Sequence, residues 1–157
     1  MSQTETQPQT SLVSLARFRV RGTWLAVPVN QVETVNYLGE VTAIPLFPSH
    51  FLGWTTLEGE VFLVLDLARF LEMTDFIDTE EAVHDHQRMV VLRAGPLMVA
   101  VPVSATGSIV QLSTDLIHQP DVLKNGRLHD FLSGEADSDV GRLGLIDVGR
   151  LLEAARV

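Results

Sequence analysis

The phrase A-V-P-V occurs at Ala26–Val29 and again at Ala100–Val103, 74 positions later. A second phrase repeats with it. Leu65-Asp66-Leu67-Ala68-Arg69-Phe70-Leu71 and Ile146-Asp147-Val148-Gly149-Arg150-Leu151-Leu152 both read apolar, Asp, apolar, small, Arg, apolar, Leu, and stand 81 positions apart. Four letters in a Val-rich chain carry little alone. Two phrases in the same order at similar spacing mark an internal duplication. A chain of 157 residues that is duplicated must fold as two related units sharing limited core volume, which favours small β-barrels or a sandwich.

Local patterns fit that plan. Leu12–Val20, the turn Arg21-Gly22-Thr23 and Trp24–Val29 read as a β-hairpin. Pro28 lacks an N–H and belongs at a strand end or edge. Val32–Tyr37 forms a further short strand, and Pro45 and Pro48 bracket a turn before Phe51-Leu52. Gly53–Leu57, the turn Glu58-Gly59-Glu60 and Val61–Leu65 make a second hairpin. Asp66 then stands where its carboxylate can cap a short helix, Leu67–Leu71. The second half repeats the sequence of elements: Met89–Leu92, the turn Arg93-Ala94-Gly95-Pro96, Leu97–Val103, and a late strand, Leu143–Asp147, running into Val148–Leu152. The second repeat is seven residues longer, and these are assigned to a polar loop at Ser133–Asp139. Between the halves, Glu72–Asp85 carries six acids and no base and reads as a solvated connector. The expectation is a mostly β protein with few short helices. Residues 1–11 form a polar tail, and residues 12–157 form one domain of two pseudo-repeated β-barrel subdomains joined by the acidic connector near 72–87.

Charge and motif content narrow the function. Eleven Lys plus Arg against 20 Asp plus Glu give a net charge of −9, a field that repels nucleic acid. Without cysteine there are no disulfides and no thiolate metal sites. M-S-Q-T-E-T-Q-P-Q-T-S has neither the basic nor the apolar region of a secretory signal, and Val61–Leu65 is too short to cross a bilayer. A cytoplasmic protein without membrane insertion is expected. In His84-Asp85-His86 the two imidazoles would share one face of a strand and could begin a metal site. A third ligand from His50, His118, His129 or an acid is not selected by the spacing, and a solvated loop is the simpler reading. Glu135–Gly141 resembles a calcium loop, but the sixth and twelfth positions hold Val140 and Ile146 where Gly and Glu are required. No nucleophile elbow and no phosphate-cradling glycine loop occurs, and helix capping accounts for Asp66 and Asp147. No catalytic residue and no cofactor is implied. A binding module is expected, with a metal-dependent enzyme or sensor at His84 and His86, or a small-molecule-binding barrel, as alternatives.

The order of pieces from Phe18-Arg19-Val20 through A-V-P-V, Val32–Val35, Pro45, Gly53–Gly59 and V-L-D-L-A-R-F-L, then from Val90–Val103 to L-I-D-V-G-R-L-L, resembles the CheW-like domain. That family comprises the CheW adaptors of bacterial chemosensory systems and the C-terminal regulatory region of their CheA-type histidine kinases. The resemblance implies two packed SH3-like five-stranded barrels, with each A-V-P-V on an equivalent strand. It implies a non-catalytic adaptor that docks on the regulatory domain of a CheA-type histidine kinase. Chemoreceptor tips and a sister CheW-like adaptor are the further partners it suggests. Relatives commonly carry G-x-x-N-L-R-G where this chain has Gly53-Trp54-Thr55-Thr56-Leu57-Glu58-Gly59, so Thr56 stands at the Asn place and Glu58 at the Arg place. In Val32-Glu33-Thr34-Val35 the family's acidic place is Thr34, and Ser104 replaces a frequent Asp. Changing Arg to Glu reverses a charge and removes a five-donor fork. The resemblance marks Val32, Thr34, Gly53, Thr56, Glu58 and Gly59 as the partner-binding positions. The departures among them suggest an altered receptor contact and a gliding or pilus-type motility pathway.

Overall fold

Every hairpin read from the pattern is present in the computed structural model, which describes residues 11–73, 88–120 and 127–156. Strands β1 (Leu12–Val20) and β2 (Thr23–Pro28) are joined by Arg21 and Gly22, at φ 52° and 79°. Two consecutive positive φ values give the tight turn whose twist matches the flanking strands. Pro28 is the last residue of β2, where its missing N–H leaves no gap in a ladder. A 3-10 turn at Val29–Gln31 leads to β3 (Val32–Tyr37), and after a long connection come β4 (Phe51–Leu57), β5 (Glu60–Leu65) and the short helix α1 (Leu67–Phe70). The later elements are β6 (Arg88–Ala94), β7 (Leu97–Val103), β8 (Ala105–Thr106), β9 (Val110–Ser113), α2 (Arg127–Asp130), β10 (Leu132–Ser138), β11 (Gly141–Ile146) and α3 (Val148–Ala155). Asp66 and Asp147 act alike: each carboxylate accepts the backbone N–H three residues on, from Arg69 and Arg150, at 3.1 Å. Both satisfy a donor that the first helical turn leaves free.

The strands form two sheets. One has the order β10-β11-β2-β1-β8, with β9 also on β1, and the other has the order β3-β6-β7-β5-β4. Each curls shut through one added bridge, Thr42 to Trp54 in the second sheet and His118 to Glu135 in the first. The mostly β architecture of two small barrels with few helices is as expected.

The connection between the barrels differs from the expectation. The acidic stretch near 72–87 was assigned to link the two subdomains, yet it lies between β5 and β6, which belong to the same sheet. The chain passes between sheets after β2 and again after β7. Each barrel is therefore built from both repeats. The first hairpin of one repeat, β1–β2, pairs with the late strands of the other, β9 to β11, and β6–β7 pairs with β3, β4 and β5. The two duplicated phrases meet in parallel register, Ala26 beside Leu145 and Ala100 beside Val64. Parallel neighbours need a long crossover, and here the connections from β2 to β11 and from β5 to β7 both run through other strands.

A second correction concerns Ser133–Asp139. These residues form strand β10 and its turn, with no loop. Gly53 and Gly134 hold the same place relative to Asp66 and Asp147, 81 positions apart, so the extra seven residues lie earlier, between β7 and β10. Ser, Gly and acids gave a turn signal, but the acids find a cation across the ladder. Glu135 is 3% exposed and accepts from Arg142 Nη1 at 2.8 Å, while Asp137 accepts from Arg142 Nε at 3.2 Å.

Three apolar clusters hold the described residues together. Leu15, Ala26, Ala136 and Leu143 fill the first barrel, and Phe62, Val64, Met89, Val91 and Ala100 fill the second. The largest lies between the barrels and joins Phe18, Leu25, Val27, Leu92 and Val101 to Leu67 and Phe70 of α1 and Leu151 and Leu152 of α3. Adjacent residues of each A-V-P-V serve different clusters: Ala26 and Ala100 face barrel interiors, Val27 and Val101 face the shared core. Each fully buried Val contributes about 1.5–3 kcal/mol, so both sides of these strands are held by burial.

Candidate interaction surface

The second barrel carries the positions expected to bind a partner. Its two edge strands in the hydrogen-bonded order are β3 and β4. Val32 opens β3 opposite Leu92 and packs partly on the shared core. A register shift follows, and Thr34 lies opposite Val91, a residue of the barrel interior. Thr34 is thus half-buried on the inward side of the strand. The outward side of β3 bears Glu33, Val35 and Tyr37, with Glu33 paired to Arg93 Nε at 3.0 Å and the Arg88 guanidinium 5.0 Å from the centre of the Tyr37 ring.

Gly53 is at the opposite end of the row that begins with Thr34: Thr34, Val91, Ala100, Val64 and Gly53 lie side by side across all five strands. It is buried, with φ 146°, and a methyl group built on it would lie 2.0 Å from the Thr42 carbonyl oxygen. This glycine permits the bridge that closes the barrel. Buried against backbone, it presents no side chain and acts on the β4 edge by setting its shape.

Thr56, Glu58 and Gly59 do come together, at the end of the β4–β5 hairpin. Thr56 is exposed opposite Val61, itself 62% exposed. Glu58 and Gly59 take φ 52° and 83°, and all of Glu58, Gly59 and Glu60 are exposed. The tight turn fixes the backbone and aims the Glu58 carboxylate at solvent. Among the described residues Glu58 and Glu60 have no salt-bridge partner. The surface splits into an edge with paired charges on β3 and a rigid hairpin end with two acids beside an apolar residue.

His84 and His86 lie outside the described residues, and among those described no group of three or more His, Cys, Asp or Glu could hold a metal ion. Of the other histidines considered as ligands, His50 Nε2 lies 3.3 Å from the Ala155 carbonyl oxygen with its ring against Phe51 and Phe70, and His118 closes the first barrel through its backbone. No helix among the described residues is long and apolar enough to cross a membrane.

Reading the sequence missed the Glu33–Arg93 pair and the exposed pair Val35 and Tyr37. Exposure alternates along β3, but the residue types in Val-Glu-Thr-Val-Asn-Tyr do not, with Thr34 and Asn36 on the inward side and Val35 and Tyr37 outward, so hydropathy gave no sign of which side faces out.

The profile of the CheW-like domain family matches residues 14–156. Among solved structures, the crystal structure of the scaffolding protein TtCheW from Thermoanaerobacter tengcongensis superposes with a TM-score of 0.74 at 16% identity, covering 95% of this chain and 92% of that one. No curated protein matches the chain.

Proposed function

The chain belongs to the CheW-like domain family, and on that premise we propose that it is a non-catalytic adaptor of a bacterial chemosensory system. It docks in the cytoplasm on the regulatory domain of a CheA-type histidine kinase and has an altered contact with chemoreceptors. A sister CheW-like adaptor is the further partner. The single observation that carries the altered contact is the Glu58 hairpin end. A tight turn holds outward a carboxylate that has no salt-bridge partner among the described residues, where relatives commonly present a guanidinium. A surface shaped to receive a cation at that point would accept Arg and repel Glu, which separates partners by charge.

Calorimetric titration against the regulatory domain of a co-encoded kinase, and separately against a receptor tip, tests this reading. Kinase binding without receptor binding is expected. Replacing Glu58 with Arg should restore receptor affinity and leave kinase binding unchanged. Receptor binding by the unaltered chain, or a folded Glu58→Arg protein that keeps the kinase and still fails to bind the receptor, would show that the Glu58 carboxylate is not what alters the contact. Binding to neither partner by the unaltered chain would overturn the adaptor assignment.

A further inference from the structure

Arg17 carries a charge into the first barrel. It stands two residues after Leu15 on β1 and opposite Ala26 of β2, both members of that barrel's apolar cluster, so its side chain takes the inward direction. That side chain is 3% exposed. A guanidinium so placed needs an anion and acceptors for its donors. Nε and Nη2 donate to the carbonyl and hydroxyl oxygens of Ser108, each at 2.9 Å, and Nη1 donates to the Asp139 carboxylate. Gly107 lets the Ser108 loop come this close, since a Cβ there would lie 3.4 Å from Arg17 Nε and 3.3 Å from Trp24 Cζ3.

The anion is held less firmly than the cation. Asp139 lies in the turn between β10 and β11, and its side chain is 73% exposed. Ala136 and Leu143 anchor this hairpin in the apolar cluster, and β11 pairs with β2 at Gly144 and Leu145. Beyond those points the hairpin end is bonded within itself: Asp137 accepts from Arg142 Nε, and Ser138 Oγ donates to the Gly141 carbonyl at 3.1 Å. Among the described residues, the Arg17–Asp139 pair alone ties residues 137–142 to a strand outside their own hairpin. One exposed carboxylate therefore both neutralises the buried charge and fastens the turn.

We infer that Arg17 and Ser108 form an oxyanion site, that Asp139 is its built-in occupant, and that the β10–β11 turn is a flap that lifts when another oxyanion takes that place. The ligand is a carboxylate or phosphoryl group, because both match the parallel donors of a guanidinium. Ser108 and Asp139 are both exposed, so the exchange can occur from solvent without disturbing the apolar cluster. Asp139 competes from within the chain. It lowers the apparent affinity for an outside anion in proportion to the time the flap is closed. A free ion meets that penalty alone, whereas an acid group already held nearby by other contacts meets it at a high effective concentration. The site therefore favours an acidic group presented by a partner over a dissolved anion.

This inference goes beyond the adaptor reading and does not rest on it, since the test uses the full chain alone. Inorganic phosphate and acetate are titrated separately at neutral pH, against sodium chloride at a matched ionic strength of about 0.3 M. NMR follows the Arg17 Nε–H and amide exchange at residues 137–142. Asp139→Asn keeps the shape of the turn residue and removes the competing charge. It should tighten binding of at least one of the two anions at Arg17 by at least about tenfold. It should also speed exchange at 137–142 by at least about tenfold, with the amides of Leu25 and Val27 still protected. A response to acetate alone assigns a carboxylate, to phosphate alone a phosphoryl group, and to both a site for either; each supports the site. Arg17→Lys in the same background keeps the charge but loses the fork, and should abolish the gain; the Asp139→Asn comparison decides the matter should that double variant not fold. The inference is overturned if Asp139→Asn binds neither anion better than the unaltered chain, if chloride acts as well as either, if the hairpin end stays as protected as before, or if the gain survives Arg17→Lys.

Discussion

Replacing Gly53 with Ala separates a structural from a contact role at one of the positions the sequence marks. The added methyl would lie 2.0 Å from the Thr42 oxygen, 2.6 Å from its carbonyl carbon and 3.0 Å from Ala43 Cα, all backbone atoms. No rotation of a side chain can clear it. The residue would also hold φ 146°, a region that costs a non-glycine about 1–3 kcal/mol. Relief requires moving the 42–43 segment, which breaks the two Thr42–Trp54 hydrogen bonds, worth about 1 kcal/mol each. The total is about 3–5 kcal/mol. With a urea m value of about 2 kcal/mol/M, the unfolding midpoint should fall by about 2 M. Gly59→Ala is the control. It has φ 83° but nothing within 4 Å of the added carbon, so it should lose only about 1–2 kcal/mol. The assay is urea denaturation followed by tryptophan fluorescence, with partner binding measured below the transition. If Gly53→Ala lost less than about 1 kcal/mol and still lost a partner, the closure argument would fail and Gly53 would be a contact after all.

Three further outcomes follow from the same geometry. Asp66→Ala and Asp147→Ala should each cost about 1 kcal/mol in thermal or urea unfolding, because each removes one N–H acceptor at a helix start; unequal effects would show that the duplicated caps are not equivalent. The Arg17 guanidinium is buried, donates from Nε and Nη2 to Ser108, and donates to the Asp139 carboxylate, which holds that carboxyl below its ordinary value of 3.8. A carboxyl lowered by folding stabilises fully above 3.8 and loses that contribution as pH falls through the lowered value, so Arg17→Met should return the Asp139 titration upward by NMR and flatten this part of the acid profile. Glu58→Asn should raise stability by up to about 1 kcal/mol by suiting the left-handed turn, and a destabilised variant would mean that the Glu58 side chain has a partner within the chain.

Local chemistry explains what the sequence made legible. Arg21-Gly22 and Glu58-Gly59 announce tight turns because positive φ is costly without glycine nearby, and the flanking apolar runs alternate or are continuous according to which cluster they feed. The Asp before each short helix is visible because a cap acts over three residues. Strand β10 was not read because its composition hides it. Ser133, Gly134, Glu135, Asp137 and Ser138 are poor strand formers by composition, and what makes them a strand is β11 on one side, the His118 bridge on the other, and Arg142 opposite the acids. The β11 partner and Arg142 are local, within one hairpin, and the polar run was read as its loop; the His118 bridge comes from a more distant segment.

The duplication itself bears on why the barrels cannot be read as two beads on a string. If each repeat closed its own barrel, A-V-P-V would pair with the Asp-containing strand of its own half, and residues 72–87 would be a true interdomain linker. The observed registers, Ala26 with Leu145 and Ala100 with Val64, exchange those partners. Periodicity cannot distinguish the two arrangements, because identical phrases offer identical strand faces to either neighbour. The exchange has an energetic consequence. Val27 and Val101 both join the core between the barrels, and unfolding either barrel strips strands from both repeats. The two barrels should then unfold as one cooperative unit. Among the described residues, the surfaces that the exchange leaves exposed include the outward side of β3, the β4–β5 hairpin end and the Leu46 turn.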